Sequence, residues 1–495
     1  MPEFGYPESA SEPWVRSIGR TELFDPSYVP TVIINSSKGY FTSAGSTTFE
    51  KMTFILKDSV HVFEGVSASS KNTEQDKFQI NFTLPDTGIY NRTALKFRPS
   101  SEDPVFIRQI LYGDILHAIG NPTHESVAAR IYLSDGTPVG LYVLQEDIPT
   151  ESFANATFHG NADGTLKSHE PAPIHNCDTG ADFTAESNAL YGFSNTENSP
   201  RLYELMAKID QTDPTNADAI KELNDNWLDL NTFLKGLALE YLAGHWDSYW
   251  FLTTNYAIYA PPGEKYYFID QDFDQTWSVG MKEGFDPENW PKKPYTEYVK
   301  DAAYWKNLNN DLSDEHGTRA IVNKFIGCDG KGTCQTKELF ENHLKSMVQH
   351  IVNPAAITRK VDGYIERLDE EIKWDYGINR LHTGSKAADP KEVESYYKFT
   401  YEEDWKNGFN IGTNSRYGLL EWTKIMTETI CNQFGIKYDE VPLTPEDSKK
   451  KASESPENNA LKTNNQVETS SDSIANRANI VLAVVATILS VVLFL

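Results

Sequence analysis

The chain has 495 residues and carries 71 Asp and Glu against 45 Lys and Arg, a formal net charge of -26. That length holds about two to four packed units, and 39% hydrophobic with 12% aromatic residues excludes whole-chain disorder, a collagen repeat or a coiled coil. The acidic excess repels a phosphate backbone, so nucleic acid is not an expected partner.

Residues 1–29 form an N-terminal segment whose opening, MPEFGYPESASEPW, has no charged region followed by an apolar run and so no secretory leader. Export would need a leader upstream or another route. From 30 to 150 the apolar residues alternate or cluster in short runs, which predicts an antiparallel sheet. Its strands are expected at 31–34, 52–56, 78–82 and 94–98. A helix is expected over 104–119, where Ile107, Ile110, Leu111, Ile115 and Leu116 keep near-helical spacing. A hairpin follows, with strands 128–133 and 140–145 around the turn signal Ser134-Asp135-Gly136-Thr137. Residues 151–200 are rich in Asn, Gly, Thr and Ser, and read as a surface insertion. The remainder to 437 is helical: Trp227, Leu230, Phe233, Leu234, Leu237 and Tyr241 share a stripe, and helical spacing returns at 339–351, 357–372 and 419–434. The predicted class is α+β, with a β-rich N-terminal lobe and a helical C-terminal lobe.

Residues 438–477, rich in Ser, Lys, Glu and Asn, read as a disordered stalk. The end of the chain, 478–495, is a hydrophobic signal of the type that directs attachment of a GPI anchor. Ser470 or Ser471 is the expected attachment residue, because a small residue is needed ahead of a polar spacer. A tail-anchored membrane protein is the alternative. Sequons at Asn35, Asn81, Asn91 and Asn155 and an even set of four cysteines favour the cell surface or cell wall. Cys328 and Cys334 flank the turn-rich DGKGT and suit a short disulfide loop, with Cys177 and Cys431 as separate candidates.

The segment 244–280, GHWDSYWFLTTNYAIYAPPGEKYYFIDQDFDQTWSVG, carries the chemistry. Asn255–Tyr259 and Tyr266–Asp270 are aromatic strand runs around a Pro-Pro-Gly turn and should pair as a hairpin. Asp247 and Asn255 then meet Asp270, Asp272 and Asp274 at one end of that hairpin. Such acids repel one another unless a divalent cation or shared proton compensates, and an Asp/Asn set suits Mg²⁺ bound to phosphates. Phosphoryl transfer needs these parts: an Asp to orient a hydroxyl, and an Asn and a later Asp for the metal. The plainer reading is that these acids cap a helix and a strand at the surface. Lys96 and Arg98 share one strand face, and Glu146 ends a later strand from which it could pair with one of them; solvated strand charges are again the plainer reading.

The blocks Arg92-Thr93-Ala94-Leu95-Lys96-Phe97-Arg98, Asp103–Arg108, Gly140–Glu146, Asp247–Tyr256 and Asp272-Phe273-Asp274 resemble, in this order, the spore coat protein H (CotH) kinase family, especially its fungal surface members. The resemblance covers about 30–437. It implies an atypical protein-kinase-like fold that uses ATP and Mg²⁺ or Mn²⁺ to phosphorylate Ser or Thr of secreted or cell-wall proteins. Residue by residue, it implies Asp247 as the catalytic Asp and Asp272, Asn255 and Asp274 as metal-binding. Lys96, Arg108 and Glu146 are implied around the nucleotide, with Lys77 as a rival lysine. Where such family members carry Pro-Trp before the metal Asp, this chain has Asp270-Gln271, and Glu74 and Asp76 dilute the basic character around Lys77. Both departures bear on activity rather than fold. The resemblance also implies a second class of function, a non-catalytic adhesin or invasin that binds a host-cell receptor or cell-wall partner.

Other motifs fail on spacing. Gly327–Thr333 lacks the Lys a phosphate loop needs, and no HExxH, GxSxG or Rossmann glycine pattern occurs. A carbohydrate-active enzyme using paired carboxylates beside Trp246, Trp250 and Trp277 ranks last, because Asn255 between the acids has no role there.

Overall fold

The computed structural model describes residues 1–8, 13–73, 75, 77–177, 180–184, 192–197, 199–299, 319–382, 399–412 and 415–454. Seven strands close into a barrel: β1 (Thr31–Asn35), β2 (Ser46–Ile55), β3 (Val60–Lys71), β4 (Gln79–Thr83), β5 (Ala94–Arg98), β6 (Ser126–Leu133) and β7 (Pro138–Glu146), in the order β1-β2-β3-β4-β5-β7-β6. Alternation decides which residues point inward. Val32, Ile34, Phe49, Met52, Phe54, Ile80, Phe82, Leu95, Phe97, Ile131 and Leu144 fill the interior. The expectation of an antiparallel sheet holds for every neighbouring pair but one. β1 lies parallel to β6, with Thr31 opposite Arg130 and Ile34 opposite Leu133, and this contact shuts the barrel.

The helices are α1 (Lys38–Ser43), α2 (Arg108–Ala118), α3 (Glu151–Phe158), α4 (Pro200–Gln211), α5 (Ala217–Asn226), α6 (Leu230–Ala243), α7 (Tyr249–Leu252), α8 (Gln335–His350), α9 (Pro354–Gly377), α10 (Leu419–Phe434) and α11 (Pro445–Glu454). α2 starts later than its apolar spacing predicts. The Asp103 carboxylate accepts from the backbone N–H of Val105 (3.0 Å) and Arg108 (2.7 Å), and Phe106 turns to φ 63°. That local cap holds 103–107 out of the helix.

A second sheet, in the order β10-β9-β8, contains β8 (Ile174–Cys177), β9 (Tyr256–Tyr259) and β10 (Tyr267–Asp270). α6 packs on it within the larger core, where Phe233 stacks on Phe268 at 4.3 Å between ring centres. Segment 151–200 therefore differs from a surface insertion: it supplies α3 and β8 and buries Ile174, Cys177, Ala181 and Phe183. These apolar residues are few but sit where β9 needs a neighbour.

The N-terminal segment is also packed, with Phe4 and Tyr6 in the larger core and Leu23 and Phe24 in the barrel core. Residues 438–454, expected within a stalk, lie on the body instead. Asp439 Oδ2 is 2.7 Å from His350 Nδ1, and Arg359 donates to the carbonyls of Pro442 and Leu443. The remainder of the expected stalk, Ser470, Ser471 and the apolar end lie outside the described residues. Among the described residues no helix is long and apolar enough to cross a membrane. Cys328 and Cys334 form a disulfide, while Cys177 and Cys431 are thiols.

Candidate functional site

The site is assembled where α6 stops. Gly244 adopts φ 55°, the left-handed cap that ends the helix, and a Cβ there would lie 2.5 Å from the Trp422 ring. Glycine alone fits without displacing that ring. The turn delivers His245, Trp246 and Asp247 to one end of the second sheet. There the β9–β10 register places Asp270 opposite Tyr256, and the Gln271 N–H donates to the Asn255 carbonyl at 3.1 Å. The hairpin thus brings Asn255 next to the strand exit that carries Asp270, Asp272 and Asp274. Asn255 Nδ2 donates to the Asp247 carbonyl at 2.7 Å and to Asp247 Oδ2 at 2.8 Å. Thr253, Asn255 and Asp272 all have left-handed backbones, with φ of 48°, 50° and 65°. For β-branched Thr253 this is a strained conformation, and such strain collects at functional sites.

The barrel supplies the opposing charge. Arg98, at the end of β5, donates to Asp274 Oδ2 from Nη2 (2.9 Å) and Nε (3.2 Å), and its Nη2 also contacts Asp272 Oδ1 as an ion pair. Asp272 Oδ1 is buried and accepts no aligned hydrogen bond. Burial works against ionisation of Asp272, but Arg98 and then Lys96 hold its carboxyl below the usual range. Asp274 goes the other way: burial and the neighbouring Asp272 raise it well above the usual range, against the pull of Arg98. Burial and the Asp272 charge also push Asp247 up to about 6, opposed by His245 and the Asn255 hydrogen bond. A carboxylate poised there can accept a proton near neutral pH.

Below the acids lies a buried polar layer. His245 Nε2 is 2.9 Å from the Asp272 carbonyl, and its Nδ1 is 3.5 Å from Asp270 Oδ1. Burial disfavours the imidazolium, yet Asp270 raises His245 to about 9, with Glu240 and Asp247 adding to the effect. Tyr112 donates to Asp270 Oδ2 at 2.6 Å. Phe273 stacks on Tyr112 and His124, and its N–H donates to Gln109 Oε1 at 2.9 Å. The acidic segment is therefore fixed from beneath by α2.

Other residues implicated by sequence fall elsewhere. Lys96 Nζ lies 3.6 Å from Asp147 Oδ1, at the edge of the acidic cluster. Glu146 pairs with neither Lys96 nor Arg98; it accepts from Arg92 Nε at 2.6 Å and from the Glu125 N–H at 2.8 Å. The register explains this: Glu146 sits opposite Leu95 and Gln145 opposite Lys96, so Glu146 occupies the other face of the sheet. Lys77 donates to the Leu141 carbonyl and to Asp375 Oδ2, both at 2.9 Å, and is buried against α9. Arg108 pairs with Asp103 and donates to the Thr276 carbonyl at 3.0 Å, tying the segment after Asp274 to the start of α2. Asn35 donates to Glu50, Asn81 to Asp147 and Asn91 to the Gly164 carbonyl, while Asn155 Oδ1 faces His169. Arg98 as the partner of both Asp272 and Asp274, with Tyr112 and Glu240 beneath them, escaped the sequence reading. The one available signal was Glu240 itself, a lone acid in the apolar run 237–243.

Among the described residues no group of three or more His, Cys, Asp or Glu converges to hold a metal by itself. Magnesium at phosphates needs less, since one or two carboxylates, waters and the phosphate oxygens suffice. The buried Asp272 Oδ1, which has the Arg98 ion pair but no aligned hydrogen bond, and Asp274 on the same guanidinium fit that donor set.

Residues 63–402 match the family described as CotH kinase protein. The chain belongs to the CotH kinase protein family. It is 27% identical to Invasin CotH2 of Rhizopus delemar over 90% of this chain and 74% of that protein. Invasin CotH3 of the same organism is 26% identical over 90% of this chain and 73% of its own length. Spore coat protein homolog 1, also from Rhizopus delemar, is 25% identical over 83% and 64%. This family match spans β3 to the segment just beyond α9, and so contains every side chain of the acidic cluster.

Proposed function

We propose that this CotH family member is a protein Ser/Thr kinase of atypical, protein-kinase-like fold, transferring the γ-phosphate of ATP to secreted or cell-wall proteins rich in Ser and Thr. The observation that carries it is the meeting of Asp247, held by Asn255, with the Asp272 and Asp274 pair on the barrel's Arg98. Asp247, shifted toward neutrality, accepts the proton of the attacking hydroxyl. Asn255 fixes the Asp247 carboxylate through its side-chain N–H. Asp272, Asp274 and Asn255 would hold Mg²⁺ or Mn²⁺, which when bound offsets negative charge on the phosphates. Arg98 and Lys96 add positive charge on the same side, so Lys96 rather than Lys77 is the proposed nucleotide lysine. Glu146 and Arg108 then act by fixing the barrel rim and the 271–277 segment. A place at the cell surface, with a C-terminal lipid anchor and a host-cell or cell-wall partner, belongs to the same proposal and draws on the names of the Rhizopus relatives.

The test is transfer of labelled phosphate from ATP, with Mg²⁺ or Mn²⁺, to a Ser-rich protein. Asp247→Asn and Asp272→Asn should each lower the rate by about 10²–10⁴-fold with folding retained. Full activity in both variants would remove the assignment. A second reading, a non-catalytic adhesin on the same scaffold, is favoured by the word invasin in two of those names. A protein that binds metal-nucleotide is stabilised by it; no thermal shift with ATP and Mn²⁺ would favour the adhesin.

A further inference from the structure

Asp270 has no part in the proposed chemistry, yet it is only 2% exposed and gathers bonds from three parts of the fold. Its Oδ2 accepts from Tyr112 of α2 at 2.6 Å. Its Oδ1 accepts from the Ser248 hydroxyl at 3.3 Å and from the Gln271 N–H at 3.0 Å, and faces His245 Nδ1 at 3.5 Å. His245 and Ser248 bracket Asp247, so this one carboxylate grips the 245–248 turn on both sides of the proposed proton acceptor. The Ser248 bond is an unusual use of that hydroxyl. Ser248 is the N-cap residue of α7, where a serine oxygen ordinarily accepts from an N–H of the first turn; here it makes no such bond. Glu240 of α6 takes over the cap, its Oε2 accepting from the Trp250 N–H at 2.9 Å. The Ser248 hydroxyl also acts on the Glu240 carboxyl, but its aligned bond runs to Asp270. Keeping the Asp270 and Glu240 carboxyls buried under the site is costly. The less costly arrangement, a serine capping its own helix, is passed over.

We propose that Asp270 is a positioning residue: through His245 and Ser248 it sets where the Asp247 carboxylate stands relative to Asp272 and the incoming hydroxyl. This rests on the reading of Asp247 as the proton acceptor. Asn255 holds Asp247 itself, by its carbonyl and Oδ2, while Asp270 holds the chain entering and leaving it. The Gln271 N–H joins the two holds, since it donates both to Asp270 Oδ1 and to the Asn255 carbonyl at 3.1 Å. Tyr112 carries the hold to α2, whose Gln109 anchors Phe273 between Asp272 and Asp274. Asp247 and the acids across from it are thereby referred to one frame. Misplacing a reacting group by ~1 Å can cost ~10²-fold in rate.

Steady-state phosphoryl transfer from ATP with Mn²⁺ to a Ser-rich protein, on the full chain, tests this. Asp270→Ala should lower kcat about 10²-fold with KM for ATP kept within about twofold. Asp270→Asn, whose side-chain oxygen can still accept from Ser248, should recover at least about tenfold of that. Ser248→Ala should lose about tenfold, and adding it to Asp270→Ala should slow transfer no further, because residues that act through one contact are not additive. The cycle of Asp270→Asn with Ser248→Ala takes its place if Asp270→Ala does not fold by circular dichroism. Additive losses, a loss carried by KM, or full activity in the Asp270 variants overturns the proposal. Hydrogen exchange supplies a readout without activity: amides of 245–252 should exchange at least about tenfold faster in Asp270→Ala and in Ser248→Ala than in wild type, with the barrel strands unchanged. No change there, or a rise spread over the whole chain, overturns it equally. Absence of transfer in wild type, with the local change in exchange present, counts against the kinase reading alone.

Discussion

Arg98 Nη2 lies 2.9 Å from Asp274 Oδ2 and pairs with Asp272 Oδ1 as well, so one guanidinium of the barrel holds both acids of the segment after β10. The pair joins the two sheets across the site. Because Arg98 and Asp274 are buried, its charges depend on each other far more than surface ions would.

Arg98→Ala leaves two acids without their cation and should destabilise the protein by about 3–5 kcal/mol. Mn²⁺ should restore part of the loss, because an ion that binds only the folded chain raises apparent stability. Thermal unfolding with and without Mn²⁺ measures it. The variant should gain more from Mn²⁺ than wild type does; equal gains would mean that Arg98 and the metal do not share these acids.

Gly244→Ala places a methyl against Trp422 on a left-handed backbone. A loss of about 1–3 kcal/mol is expected from strain and overpacking. Chemical denaturation gives the stability. Phosphoryl transfer should fall further than stability alone accounts for, since His245 and Asp247 follow directly; unchanged transfer would show that the cap does not set their position.

The Lys77–Asp375 pair predicts an acid dependence. Burial opposes the Asp375 charge, but Lys77 and Arg380, with the Leu141 N–H, hold its carboxyl below the usual range when folded. A carboxyl lowered on folding stabilises the protein above its unfolded pKa, and that contribution disappears as pH falls through the folded value. Asp375→Asn should therefore be less stable than wild type at about pH 5–7, with the gap closing below about pH 4. Denaturation curves across that range decide it, and a constant gap would contradict the pairing.

The Cys328–Cys334 bridge closes a short loop ahead of α8. Replacing both by Ser should cost about 2–3 kcal/mol through freedom returned to the unfolded chain. Reduction of wild type should reproduce the loss, while the double variant should not respond to reductant.

Local signals made much of this architecture readable. Alternation placed β5, β7 and the β9–β10 pair, and the turn between β9 and β10 sufficed to bring Asn255 to the acids. Barrel closure was hidden, because the parallel β1–β6 contact joins strands far apart in sequence with no turn to announce it. β3 was missed because its Gly65, Ser67, Ser69 and Ser70 dilute the alternation. Glu146 went astray by parity: one residue of register puts a side chain on the opposite face. Lys77 finds Asp375 only in three dimensions, so no spacing rule reaches it.

β5, which carries both Arg98 and Lys96, is zipped between β4 and β7 within a ring of strands. Sliding it would mean breaking two ladders at once. The 272–276 backbone across from it is pinned as well, by Gln109, His245 and Arg108. Any adjustment to an incoming phosphate must therefore come from rotamers: both walls behave as anvils, and only the charged side chains between them are left to move.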